Sequence, residues 1–383
     1  MVERSTPSPH INDNDGGQNP KPHNHAASKK KAGPGRARSA KAGPVRAGRG
    51  RWPARKAYAA IDLGTNNCRL LIAKPSADSF IVVDAFSRVV RLGEGLGEAG
   101  RISDAAMDRA VAALSICSDK LRHRHVTLAR SVATEACRRA SNGEHFIERV
   151  RRETGIALDI ISAEEEARLA VLGCHILLEP GDGPALIFDI GGGSTELVLV
   201  STNGPAPEIL DWQSAPWGVV SLTESEKFDG ENPKAREIAY ANMRARVTES
   251  FADFASRLPA GLDENVRLLG TSGTVTTLAS LHLGLPSYDR NAIDGLIVPS
   301  ASMREISQNL ALISPAERAA LPCIGRERAD LVVAGCAILE AIMDIWPAAR
   351  LGIADRGIRE GILRTLMPIG GKKARTAKAS NNT

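Results

Sequence analysis

The chain reads as an α/β protein of two similar lobes. Three observations carry this. An Asp-ended strand that runs into a small-residue turn and a second strand occurs twice, at Ala59–Ile72 and at Leu186–Leu199, and the two copies align without a gap. Each copy opens a series β-β-β-α-β-α-β-α, the alternation expected of a mixed sheet with helices on its faces. Between the two series lies Pro180-Gly181-Asp182-Gly183-Pro184, which breaks any regular element. The expected lobes are therefore 57–179 and 180–367.

The first hairpin is followed by an apolar β run at Phe80–Val90 and a glycine-broken loop, Arg91-Leu92-Gly93-Glu94-Gly95. Ser103–Leu121 has helical spacing behind a Ser N-cap. Val126–Ala133 is a strand that stops at Thr134-Glu135-Ala136-Cys137-Arg138, where a helix starts. A short strand at Leu158–Ile161 leads to Ser162, a second N-cap, with Glu164, Glu165 and Glu166 in the first turn of a helix reaching about Leu178. The second half predicts three strands within Ala185–Gln213, helices over Pro233–Leu258 and a strand at Val266–Leu269. Then come a turn Gly270-Thr271-Ser272-Gly273-Thr274 opening a helix, helices at Ala301–Leu312 and Arg326–Ile345, a strand at Arg350–Ile353, and a last helix to Leu366.

Composition sets bounds. With 383 residues and 43% hydrophobic content the chain fills two domains. The net charge of +5 is unevenly spread: Met1–Lys56 carries +10, Pro368–Thr383 carries +4, and the remainder is acidic at −9. Residues 1–56 are rich in Pro, Gly, Ser, Asn and Lys/Arg and lack large apolar groups before Trp52, so disorder is expected there and in 368–383. The basic tail reads as a solvated linker with weak, nonspecific, salt-sensitive contact to polyanions. No run approaches the roughly twenty apolar residues of a membrane span, and no signal segment opens the chain, so a cytoplasmic protein is expected. The six cysteines show no C-x-x-C pair and no zinc spacing, and read as small buried residues in a reducing compartment.

The chemistry sits in the turns. Gly at a hairpin tip lets backbone N–H groups approach an anion, and this occurs at Gly64, Thr65, Asn66 and Asn67, and again at Gly191, Gly192, Gly193, Ser194 and Thr195. A third small-residue turn, Gly270 to Thr274, can add donors. Asp62 and Asp189, each at the end of an inner strand, can hold a hydrated Mg²⁺ or a water beside phosphate; the alternative is an Asx-type turn cap. Arg91, Arg138 and Arg168 are candidates for forked contacts to phosphoryl oxygens, with surface ion pairs as the alternative. Among Glu164, Glu165 and Glu166, one can face a cleft as a general base, or all three can serve the helix dipole.

These segments, with Trp217–Glu224, Leu321–Asp330 and Asp355–Gly361, resemble in order and spacing the exopolyphosphatase and guanosine pentaphosphatase family, over roughly Tyr58–Leu366. The resemblance implies a duplicated actin-like fold (the sugar kinase and Hsp70 superfold, ribonuclease H-like) and Mg²⁺-dependent removal of a terminal phosphate. It makes Glu166, directly before Ala167-Arg168, the catalytic base, sets Asp189 and Glu196 near metal and water, and matches Asp62 to the family's first-loop Asp. The implied substrates are inorganic polyphosphate and guanosine pentaphosphate, and a homodimer without membrane attachment is expected. The additional helical domain of the family's long members is not expected to follow Leu366. Two departures stand out: Asn67 replaces a common Ser, and Ser272 replaces a common Gly. A kinase of the same superfold, or a non-catalytic alarmone or polyanion sensor, are the alternative functions.

Overall fold

The computed structural model describes residues 56–367, apart from 78, 205–206, 229 and 259–265. The disorder and polyanion contact expected of the two basic tails therefore fall outside the described residues, save Lys56.

The first sheet holds β1 (Ala57–Leu63), β2 (Asn67–Pro75), β3 (Phe80–Val89), β4 (Val126–Ala133) and β5 (Asp159–Ile160), in the order β3-β2-β1-β4-β5. β1, β2 and β3 are antiparallel; β4 and β5 run parallel to β1. Its helices are α1 (Leu96–Ala99), α2 (Asp104–His123), α3 (Glu135–Arg139), α4 (Gly143–Thr154) and α5 (Ala163–Cys174). The N-cap expectations hold: Ser103 Oγ accepts the Ala106 N–H and Ser162 Oγ accepts the Glu165 N–H. Helix α4 shows its apolar face only through Phe146, Ile147 and Val150, too sparse a stripe to predict it from the sequence.

The second sheet holds β6 (Ala185–Ile190), β7 (Thr195–Ser201) and β8 (Glu208–Ala215). After α6 (Val219–Ser225) and α7 (Pro233–Arg257) come β9 (Arg267–Thr271), α8 (Gly273–His282), α9 (Arg290–Ile293) and β10 (Ile297–Pro299). The chain closes with α10 (Ser300–Leu312), α11 (Pro315–Ala320), α12 (Val332–Ile345), β11 (Arg350–Ala354) and α13 (Ile358–Leu366). The strand order is β10-β11-β9-β6-β7-β8. Read from its third strand, β8-β7-β6-β9-β11 repeats β3-β2-β1-β4-β5, with β10 added antiparallel at the edge. This is the duplicated, two-lobe actin-like architecture.

Two expectations need correction. Helix α12 begins at Val332 rather than Arg326, because residues 325–331 form successive turns from Gly325, whose φ is 70°. Helix α13, assigned by chain order to the second lobe, lies on the first sheet: Ile358, Ile362 and Leu363 share a core with Ala60, Leu71, Val132 and Leu169. Its partner α5 faces the other way as well, packing Ala167, Val171 and Cys174 against Ile187, Val198 and Leu269 of the second sheet. The α5–α13 pair thus links the lobes. Their backbones approach so closely that a Cβ on Gly361 would lie 2.0 Å from Leu169 O, and one on Gly173 would lie 2.0 Å from Gly357 O. Gly361→Ala must part the helices, and is expected to lower stability by about 1–3 kcal/mol, read as a lower urea midpoint; an unchanged midpoint would show that the contact bears no load.

Candidate active site

The two aligned hairpins close in the same way. Gly64 N–H donates to Asn67 O and Gly191 N–H donates to Ser194 O, both at 2.9 Å. Across each hairpin the Asp faces a matched residue: Asp62 lies opposite Arg69, and Asp189 opposite Glu196. Cross-strand partners share one face of the sheet, so the first lobe presents an acid with a base and the second an acid with an acid.

The carbonyls of both turns are engaged from behind. Asn66 O accepts Val90 N–H (2.8 Å) and Arg91 N–H (3.0 Å), and Thr65 O accepts Gly93 N–H (2.9 Å). In the second lobe Gly191 O accepts Val219 N–H (3.0 Å), Gly192 O accepts Val220 N–H (2.8 Å), and Gly193 O accepts Ser221 Oγ–H (3.0 Å). With the carbonyls turned to the rear, the N–H groups of Gly192, Gly193 and Ser194 have no acceptor among the described residues, and face the cleft. The turns also meet one another. A Cβ on Gly192 would lie 2.9 Å from Thr65 Cβ, and one on Gly193 would lie 2.7 Å from Thr65 Oγ1.

Between them is a cavity of about 120 Å³. Of the sequence-predicted residues, Asp62, Gly64, Thr65, Asn66, Asn67, Glu166, Asp189, Gly191, Gly192, Gly193, Ser194, Glu196, Ser272, Gly273 and Thr274 line it. Glu166 reaches it from the first turn of α5 and is buried, whereas Glu165 turns outward to Arg130 and Arg168. Glu166 Oε2 accepts Arg138 Nη1–H at 3.1 Å, and the same nitrogen donates to Ile161 O at 2.8 Å.

Five predicted residues lie elsewhere. Arg91 is exposed, 4.0 Å from Glu94. Arg138 is spent on Glu135, Ile161 O and Glu166, so it holds the acid rather than clamping phosphate. Thr195 Oγ1–H donates to Trp217 O (2.6 Å) and Thr271 Oγ1–H to Arg356 O (2.6 Å), both outside the cavity lining. Gly270 sits within β9, where a Cβ would strike the Phe188 ring at 2.6 Å. Arg168, also weighed as a clamp, pairs with Glu165. The arginines that line the cavity are Arg69 and Arg328, neither with a carboxylate ion-pair partner among the described residues. Arg69 was legible: the gapless hairpin alignment that equates Asp62 with Asp189 also equates Arg69 with Glu196. Arg328 is delivered by the turns before α12, which carry no periodic signal.

A family model for the Ppx/GppA phosphatase family matches residues 71–369. The chain belongs to the Ppx/GppA phosphatase family. Exopolyphosphatase 2 of Mycobacterium tuberculosis is 33% identical over 321 residues, spanning 80% of this chain and 98% of that protein. Among solved structures, a Ppx/GppA family member of Aquifex aeolicus matches with a TM-score of 0.65 at 27% identity, over 81% of this chain and 97% of that one. An exopolyphosphatase of Cytophaga hutchinsonii matches with a TM-score of 0.72 at 25% identity, over 82% and 100%. Membership makes the chain a hydrolase of the class that acts on phosphoric anhydrides.

For a Ppx/GppA phosphatase the acids are strongly perturbed. Burial raises all four: Asp189 to about 6 and Glu196 to about 7, Asp62 in direction, and Glu166 well above the carboxylate range. Neighbouring acids add to this, Asp189 acting on Glu196 and Glu196 on Glu166, while Arg69 pulls Asp62 and Asp189 down and Arg138 pulls Glu166 down. Glu196 Oε1 accepts hydroxyls from Ser194 (2.7 Å) and Ser214 (2.9 Å), so the Ser194 hydroxyl serves the acid rather than an anion. Asp62 Oδ1 is buried with no hydrogen-bond partner. No three acid, His or Cys groups enclose a metal among the described residues. Asp62 acts on Asp189 and Asp189 on Glu196 in pairs, so the orphaned carboxylate oxygen would suit a hard cation that takes most of its ligands from water and substrate oxygens, as Mg²⁺ does.

Carboxyls raised on folding stabilise the native state below their unfolded values, and this contribution is lost as pH rises through the folded ones. The metal-free protein should therefore lose melting temperature between about pH 5 and pH 8, and MgCl₂ should raise it more at pH 8 than at pH 5. A flat melting temperature across that window, with no Mg²⁺ effect, would contradict the placement of these acids.

Proposed function

We propose that this Ppx/GppA phosphatase is an exopolyphosphatase that releases terminal orthophosphate from inorganic polyphosphate, and that guanosine pentaphosphate, converted to the tetraphosphate, is its second substrate. The observation that carries the reading is the opposition across one small cavity. Unpaired N–H groups and two arginines without a carboxylate ion-pair partner among the described residues, Arg69 and Arg328, stand against a buried, raised Glu166. The donors suit a phosphoryl group bearing dispersed negative charge, and the acid suits a water to be deprotonated. The names of the M. tuberculosis and C. hutchinsonii relatives support polyphosphate.

In this reading the terminal phosphoryl group lies on the turn amides of Gly192, Gly193 and Ser194, with Arg69 and Arg328 taking the oxygens of the phosphates behind it. Glu166 accepts a proton from water as the water oxygen bonds to phosphorus and the bridging P–O bond breaks. The shortened polyphosphate leaves as an anion, and the proton passes from Glu166 to solvent. Arg138 fixes the Glu166 carboxylate through one oxygen, leaving Oε1 for the water. Asp189 and Glu196, with Asp62 beside them, would hold Mg²⁺, which when bound neutralises charge on the phosphoryl oxygens.

No helix among the described residues is long and apolar enough to cross a membrane. Free cysteines, all but Cys323 buried, support the reducing cytoplasm as the compartment.

The test is a phosphate-release assay on both substrates. Release that rises on the acid side through a value above the ordinary carboxylate range of about 4, and falls by on the order of 10² or more in Glu166→Gln without loss of orthophosphate binding, is the expected result. Near-normal turnover in Glu166→Gln, or phosphate appearing on an acceptor rather than in water, would overturn the reading.

A further inference from the structure

Ser272 has the one backbone conformation at the cavity that calls for another residue. Its φ of 91° and ψ of −175° lie in a region occupied essentially by glycine, and any side chain there is strained. It stands at the junction of β9 and α8, beside the end of β6, where the two parallel strands diverge into their turns. The strained geometry is tied down on both sides. Ser272 O accepts the Thr276 hydroxyl at 2.9 Å, and Ser272 Oγ–H donates to Ile190 O at 2.7 Å.

The second bond matters because of where Ile190 lies. Ile190 joins Asp189 to the glycine turn. Its peptide with Gly191 is gripped at one end by Ser272 and at the other by the Gly191 N–H bond to Ser194 O. This fixes the plane of the peptide that leads directly into the unpaired amides. It also gives a donor to a carbonyl oxygen whose residue lines the cavity and which would otherwise oppose an incoming anion. A hydroxyl has a single proton. While that proton is held by Ile190 O it cannot be donated to a phosphoryl oxygen, so the Ser272 hydroxyl is not a phosphate donor in this arrangement.

We infer that Ser272 is a positioning residue: its hydroxyl, held in a strained backbone, orients the Ile190–Gly191 peptide so that Asp189 and the Gly192–Ser194 amides present correctly to the phosphoryl group. The inference rests on the phosphohydrolase reading of this site. It accounts for a serine at a position where glycine would be free of strain.

Two substitutions in the full-length chain separate the strain from the hydroxyl. Ser272→Ala keeps the strain and removes the donor; Ser272→Gly removes both. Melting temperature should fall in the Ala variant and rise by about 2–4 °C in the Gly variant. kcat/KM for polyphosphate and calorimetric affinity for inorganic orthophosphate should both fall about tenfold in each, because the lost hydroxyl is common to the two. A merely structural role predicts losses that follow melting temperature, so a Gly variant within twofold of the unsubstituted protein in both readouts overturns the inference. If the unsubstituted protein releases no phosphate from polyphosphate, the substrate reading fails, and orthophosphate affinity alone decides the role of Ser272.

Discussion

The contact between the two hairpin turns is the constraint on which the site depends. Thr65 of one lobe presses so closely on Gly192 and Gly193 of the other that no Cβ fits there. Behind each turn a following segment takes up the carbonyls, Val90–Gly93 in the first lobe and Val219–Ser221 in the second. Once the carbonyls are held to the rear, peptide geometry sends the amides forward. The amide surface at the cavity is thus a consequence of backbone packing, made by residues with little side-chain chemistry of their own.

That backbone frame explains how so many acids can be tolerated in one small space. Four carboxyls with raised proton affinity surround the cavity, opposed by Arg138 from behind and by Arg69 and Arg328 from the front. Such an arrangement is electrostatically poor as a resting state, since burying unpaired charge is unfavourable. In the proposed function it would become favourable once a polyanion met the arginines and amides and a cation met the acids. The two lobes divide the work unequally: opposite its Asp the first lobe carries Arg69, the second Glu196. The α5–α13 pair, which crosses between the lobes, carries Glu166 at one end and so couples the acid to both sheets.

Much of this was legible from residue order. The two hairpins, the duplicated plan and the Ser162 cap follow from local patterns, while only the family resemblance singles out Glu166 among the three glutamates; the lobe bounds do not follow, since α13 packs on the first sheet. What escaped depends on long-range placement. Arg91, Arg138 and Arg168 have the right chemistry, but the fold points them at Glu94, at Glu135 and Glu166, and at Glu165. Arg328 is carried into the cavity by irregular turns, and α13 has helical periodicity that says nothing about which sheet it will cover. Thr195 and Thr271 illustrate the same limit, since a hydroxyl next to a glycine turn serves whichever acceptor the tertiary fold supplies.

A crystal structure of the protein soaked with orthophosphate at near-neutral pH tests the central claim most directly. The account predicts the anion within hydrogen-bond distance of the Gly192, Gly193 and Ser194 amides, contacted by Arg69 and Arg328, with Glu166 on its open side and Arg138 still bound to Glu166. An anion held instead by Arg91 or Arg138, or turn carbonyls rotated into the cavity, would contradict it.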